Sequence, residues 1–263
     1  MGNAAASDAS LLQVETRGAV LMVGLNRPAK RNALNDGIIL ALQDCFSSLP
    51  DEIGAVVIHG IGDHFSSGLD LSELSERDAT EGLVHSQMWH RVFDRVQYCR
   101  VPVIAALKGA VIGGGLELAC AAHIRVAEPS AYFALPEGQR GIFVGGGGSV
   151  RLPRLIGVPR MIDMMLTGRV YSATEGAAYG FSQYLTADGG ALPKALELAE
   201  RVAANAPLTN FAVLQALPMI AEANPQTGLL MESLMATVAQ SDKEAKKRIR
   251  AFLDRKTAKV KPT

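Results

Sequence analysis

The chain changes character once, near Arg151, and that change limits the folds open to it. Before it, strand-like runs at residues 20–25, 55–59, 101–107 and 124–127 alternate with helical runs at 37–48, 81–98 and 114–122. After it the pattern is nearly all helix, over residues 158–166, 172–178, 192–204, 208–221, 229–239 and 243–255. Alternation predicts an α/β core, and the tail predicts an added helical part. Periodicity alone leaves a doubly wound sheet open. No internal sequence repeat or low-complexity linker is visible. The expected division is a disordered start over residues 1–10, an α/β core over 11–190 and a helical part over 191–263.

Two glutamates stand beside glycine-rich segments. Gly113-Gly114-Gly115-Leu116-Glu117 opens an apolar helix, and Leu135-Pro136-Glu137 closes an apolar strand shortly before Gly145-Gly146-Gly147-Gly148. A carboxylate in the first turn of a helix is favoured in its ionised form by the macrodipole. A carboxyl in apolar surroundings keeps its proton. The two settings therefore predict pKa values pushed apart, which supplies one base and one acid. Taken singly, each also fits a plain role, Glu117 as a helix-start acid and Glu137 as a loop acid.

A third segment, His64-Phe65-Ser66-Ser67-Gly68-Leu69-Asp70-Leu71, follows the buried-strand pattern Ala55-Val56-Val57-Ile58-His59-Gly60. A strand that ends in a small-residue turn leaves amides pointing outward. Together with Gly114, where glycine permits close approach to the backbone, they would form a two-donor site for an oxygen that becomes negative.

Four blocks, in order, are similar to the enoyl-CoA hydratase (crotonase) family: Leu25-Asn26-Arg27-Pro28-Ala29-Lys30-Arg31-Asn32-Ala33-Leu34-Asn35, Phe65-Ser66-Ser67-Gly68-Leu69-Asp70-Leu71, Lys108-Gly109-Ala110-Val111-Ile112-Gly113-Gly114-Gly115-Leu116-Glu117-Leu118 and Leu135-Pro136-Glu137. The resemblance runs from residue 14 to residue 256. It implies a spiral of ββα units with a helical C-terminal trimerisation part, and syn hydration of an α,β-unsaturated acyl-CoA thioester. By position it implies that the amides of Leu69 and Gly114 grip the thioester oxygen, that Glu117 and Glu137 are the catalytic pair, and that the Gly145 amide orients water. Arg27, Lys30 and Ala33 fall where the family holds the coenzyme A nucleotide, and the Ser67 carbonyl falls where adenine is read. Phe252 and Arg255 match residues that reach the coenzyme of a neighbouring subunit, so a homotrimer or a hexamer of paired trimers is implied. Coenzyme A arrives on the substrate, and no separate cofactor is expected.

Two positions depart from the family pattern. Val144 stands where hydratases commonly carry proline, and Arg140 lies close to the second glutamate. The Leu135-Pro136-Glu137-Gly138-Gln139-Arg140-Gly141 block resembles methylthioacryloyl-CoA hydratases, which keeps thioester hydrolysis open as a second reaction. A non-catalytic RNA-binding relative is the third reading. Trp89 is expected in the wall of the acyl pocket or in the core.

Composition agrees with one enzyme domain. A chain of 263 residues buries roughly 70 to 75% of its unfolded surface. A net charge of +0 gives no electrostatic case for nucleic acid or an acidic membrane. Cys45, Cys99 and Cys120 lack paired spacing, which predicts free thiols in a reducing, cytoplasmic setting. The five histidines are scattered, so no metal site is expected. Residues 1–10 have neither a basic start nor an apolar core, Ala6 stands where a myristoylation motif needs Ser or Thr, and no run is apolar enough to span a bilayer. Phosphate-loop, nucleophile-elbow and dinucleotide fingerprints are absent.

Overall fold

The computed structural model describes residues 10–73 and 78–254. A six-stranded sheet runs in the order β1-β2-β3-β4-β6-β9, formed by β1 (Leu12–Arg17), β2 (Val20–Leu25), β3 (Ala55–Gly60), β4 (Val103–Leu107), β6 (Ile124–Ala127) and β9 (Tyr184–Leu185). β1 and β2 are antiparallel, and every later pair is parallel. A second sheet of three strands joins β5 (Ala110–Ile112), β7 (Tyr132–Ala134) and β8 (Tyr171–Ser172). Helices α1 (Asp36–Ser47), α2 (Ala79–Gln97), α3 (Gly114–Ala121), α4 (Gly148–Ile156), α5 (Val158–Thr167), α6 (Ala173–Tyr179) and α7 (Ala191–Ala203) accompany the sheets. α8 (Pro207–Phe211), α9 (Leu217–Glu222), α10 (Pro225–Ser241) and α11 (Lys243–Leu253) follow.

β2 and β4 are apolar at every position, and β3 as far as Ile58, because both faces of the sheet are covered. Successive side chains point to opposite faces. In β4, Val103, Ala105 and Leu107 enter the large core shared with α1 to α6, whereas Ile104 and Ala106 pack against Ala195, Leu198 and Ala199 of α7. The same split places Val56 and Ile58 on one side of β3, and Ala55 and Val57 on the other.

The spiral becomes visible in how the two sheets are linked. β4 in the first sheet leads to β5 in the second and then to α3; β6 leads in the same way to β7 and then to α4. Earlier turns of the chain repeat this with the second strand reduced to single parallel bridges, Leu34 to Leu69 and Ser66 to Val111. Ladder bonds tie the turns together: the Leu34 amide donates to the Gly68 carbonyl (2.7 Å), Ile112 to Ser66 (3.1 Å) and Gly113 to Ala134 (3.0 Å). Three loops far apart in sequence, ending at Leu69, Gly114 and Glu137, are thereby brought to one edge. The expected spiral α/β architecture is present, and the doubly wound alternative is excluded by the second sheet.

Helix starts carry local signals. Asn35 caps α1, accepting from the Ile38 amide at 3.0 Å. Asp78 and Glu81 form a reciprocal capping box on α2. Residues 1–9 and Arg255 lie outside the described residues. No helix among the described residues is long and apolar enough to cross a membrane.

Candidate active site

Leu69 and Gly114 meet because glycines remove the side chains that would hold their loops apart. Gly68 has φ +85°, and a Cβ there would sit 2.6 Å from the Ile112 carbonyl oxygen. At Gly114 a Cβ would lie 2.8 Å from Trp89 Cζ3 and 3.5 Å from the Leu69 nitrogen. Gly114 is the first residue of α3, so its amide has no intrahelical acceptor. Among the described residues neither amide donates to the protein. Two free donors thus face a cavity of about 340 Å³, lined also by Ser67, Trp89, Glu117 and Glu137.

Glu117 lies one turn into α3 and is 4% exposed. One carboxyl oxygen, Oε1, accepts from the amides of Gly146 (2.9 Å) and Gly148 (2.7 Å). Burial pushes this carboxyl above the usual range, while those amides and the Arg151 guanidinium oppose the rise. The macrodipole argument from sequence therefore gives the wrong direction for Glu117. A group this deep loses more to desolvation than the helix start returns.

Glu137 follows β7 and is 8% exposed. Its Oε2 is buried without a hydrogen-bond partner. Burial pushes the carboxyl to about 7; its own backbone amide opposes the rise, the nearby Glu117 charge adds to it, and Arg140 opposes it. Both carboxyls are thus raised, in place of the opposite shifts expected. The asymmetry lies in hydrogen bonding. Glu117 has amide donors that favour its ionised form, and Oε2 of Glu137 has none, which favours the proton.

Four of the expected coenzyme residues, Arg27, Lys30, Ala33 and Ser67, are joined by hydrogen bonds on neighbouring loops. Arg27 Nη2 and Lys30 Nζ both reach Asp70 Oδ2, at 2.9 and 3.0 Å. Arg27 Nη1 also donates to the Ala33 carbonyl at 2.8 Å. The Asp70 carboxyl is held well below the usual range, by the Ser72 hydroxyl above all and then by Lys30 and Arg27. Buried Asn32 fixes the loop, donating to the carbonyls of Ile61 and His64 while accepting from the Arg27 amide. Ser67 lines the cavity and is anchored to the same loop through its amide, 2.9 Å from the Arg31 carbonyl. Phe252 is exposed on α11 and is not among the residues lining this cavity.

Gly145 lines the cavity, and its carbonyl accepts from Ser86 Oγ at 2.7 Å. Trp89 is a wall residue, 4% exposed, against Phe93 in an edge-on contact. Val144 and Arg140 both border the cavity, Val144 buried and Arg140 exposed. Sequence reasoning missed Asp70, His85 and Arg151. His85 borders the cavity beside Trp89 with Nε2 2.8 Å from Asp36 Oδ1. Its α-helical spacing from Trp89, four residues, was the available signal for its inward direction. Among the described residues no cluster of His, Cys, Asp or Glu could hold a metal ion.

The spiral α/β fold thus brings two buried carboxyls and two backbone amides to the lining of one cavity. The chain belongs to the enoyl-CoA hydratase/isomerase family, whose model matches residues 15–262. It is 34% identical to the 2,3-dehydroadipyl-CoA hydratase of Escherichia coli K12 over 256 residues, covering 96% of this chain and 99% of that protein. It is 30% identical to the short-chain-enoyl-CoA hydratase of Clostridium acetobutylicum, covering 92% and 94%. Among solved structures, a chain from Rhodopseudomonas palustris CGA009 superposes with a TM-score of 0.92 at 82% identity, over 95% of this chain and 97% of that one. An enoyl-CoA hydratase from Bacillus anthracis superposes with a TM-score of 0.88 at 30% identity, over 94% and 97%.

Proposed function

We propose that this protein adds water in syn fashion across the double bond of an α,β-unsaturated acyl-CoA, giving the 3-hydroxyacyl-CoA. The observation that carries the reading is that Glu117 and Glu137 open into the same cavity as the free Leu69 and Gly114 amides. The β-carbon of such a thioester is electrophilic to the extent that charge collects on the carbonyl oxygen, and two preorganised donors stabilise that charge. Ionised Glu117 takes a proton from water as its oxygen bonds to the β-carbon. Protonated Glu137 delivers a proton to the α-carbon, and the two carboxyls then exchange protons with solvent to reset. One water is consumed and no bond to sulfur breaks. Retention of both carboxyls favours hydration over isomerisation, which needs one.

The same reading assigns Arg27, Lys30, Ala33 and Ser67 to the coenzyme of the substrate, with Phe252 and Arg255 reaching that of a neighbouring copy. It places the protein in the cytoplasm as a homotrimer or hexamer, acting in fatty acid metabolism without a further cofactor. A panel of enoyl-CoA thioesters, followed by enone absorbance and thiol release together, tests it. Loss of absorbance without free thiol is expected. Thiol release at the same rate would support hydrolysis instead, and inertness toward every thioester would remove the reading.

A further inference from the structure

We propose that Arg151 is a positioning residue for Glu117, acting through the 146–148 loop whose amides hold the carboxylate. The inference rests on the role given to Glu117 above. Arg151 lies on α4 and is 8% exposed, deep for a guanidinium. Its Nη1 donates to the Gly146 carbonyl at 2.9 Å, while Nη2 bonds Asp94 Oδ1 and Nε bonds Gln97 Oε1, both on α2. Each edge of the planar fork is therefore engaged, and the loop is pinned to a helix outside it. The amide of Gly146 and that of Gly148 then converge on Glu117 Oε1.

The fit is close enough to dictate sequence. Gly147 has φ +94°, and a Cβ there would lie 2.2 Å from Arg151 Nη1. A side chain at that position would expel the guanidinium from its seat. Lysine cannot reproduce three directed donors in one plane. The charge matters as well as the bonds, since a fixed cation favours the ionised form of a carboxylate facing it. Among the described residues, the titratable groups around Glu117 are Glu137 from the segment after β7, Arg140 at the cavity border, Arg151 from α4, His85 and Asp94 from α2, and Cys120 on α3 itself. Of the cations in that set, Arg151 alone is both buried and bonded to the loop that bears the amides.

A second cavity, about 450 Å³, opens beside the guanidinium and is lined by Asp94, Gln97, Cys120, Gly147 and Arg151. It gives a small cation access to the seat that an Arg151→Ala variant would vacate. The test combines kinetics with a titration that needs no substrate. Arg151→Ala and Arg151→Lys are assayed for hydration with and without a few millimolar guanidinium, with ammonium as the control ion. Glu117 is titrated in the substrate-free protein by difference infrared spectroscopy against Glu117→Gln. Expected are a loss of kcat of at least tenfold in both variants, KM within about twofold, recovery of Arg151→Ala by guanidinium and not by ammonium, and titration of Glu117 at higher pH. Unchanged kcat, or a loss that guanidinium does not reverse with Glu117 titrating as before, would overturn the proposal. Should Arg151→Ala fail to fold, Gln97→Ala removes the acceptor of Arg151 Nε without changing any charge and is expected to move kcat and the Glu117 titration in the same directions by less; no movement of either would overturn it. If the unaltered protein hydrates nothing, the functional reading fails while the infrared titration still decides this one.

Discussion

Glu137→Gln should gain stability relative to the unaltered protein as pH rises from acid to neutral, while lowering its activity. The carboxyl is pushed to about 7 by burial, whereas an unfolded glutamate ionises near pH ~4.3. Below about pH 4 both states hold the proton, and the group does not discriminate between them. Between about pH 4 and 7 the unfolded chain gives up its proton and the folded chain keeps it, so folding loses stability as pH rises. Above about 7 both are ionised and the penalty is constant. A gap of about 2.7 pH units at 1.36 kcal/mol each amounts to roughly 3 to 4 kcal/mol. Glutamine matches the shape and cannot ionise. Any cost from an unpaired amide in place of the unpaired Oε2 is the same at every pH and drops out of the comparison. Urea unfolding of both proteins from pH 4 to pH 8 should give a stability difference that grows in favour of the variant by roughly 3 to 4 kcal/mol. Parallel profiles would refute the reasoning, because they would mean that Glu137 titrates alike folded and unfolded.

Three further outcomes follow from the same geometry. Gly114→Ala puts a methyl against Trp89 and beside the Leu69 nitrogen, so hydration kcat should fall about 10²-fold or more with the circular dichroism spectrum unchanged. Asp70→Asn removes the negative charge shared by Arg27 and Lys30, leaving one neutral acceptor oxygen, and should cost roughly 1 to 3 kcal/mol at pH 7 in urea unfolding. Because the Asp70 carboxyl is lowered in the folded state, that stability is complete above the unfolded pKa and fades as pH falls, so the two proteins should converge in acid. Arg140→Gln removes a cation that favours ionised Glu137; the alkaline limb of the kcat profile, where the acid loses its proton, should move up by as much as about one pH unit.

Much of the site was legible because glycine leaves a local trace. The segments around Gly68, Gly114 and Gly145 could be placed from the chain alone, and the strands at residues 20–25 and 124–127 coincide with β2 and β6. The spiral was not legible as a repeat. Its second strands shrink to three residues in β5 and β7 and to single bridges elsewhere, too short for periodicity to register. α4 was missed because it begins inside the glycine run and contains Pro153, both signals that argue against a helix. Glu117 was assigned the wrong direction of pKa because its helix start was visible and its depth was not. Asp70 and Arg151 were overlooked for a related reason: besides near neighbours, each is held by partners 40 or more residues away in the chain, Arg27 and Lys30 for Asp70, Asp94 and Gln97 for Arg151. Such pairings are set by topology, which local pattern cannot supply.

The central claim is that both carboxyls and both amides serve one reacting water and one thioester oxygen. Turnover of crotonyl-CoA by Glu117→Gln and by Glu137→Gln, each confirmed folded, tests it most directly. The account predicts that either change alone lowers kcat by about 10² to 10⁴-fold with KM little altered. Near-full hydration by either variant would contradict it.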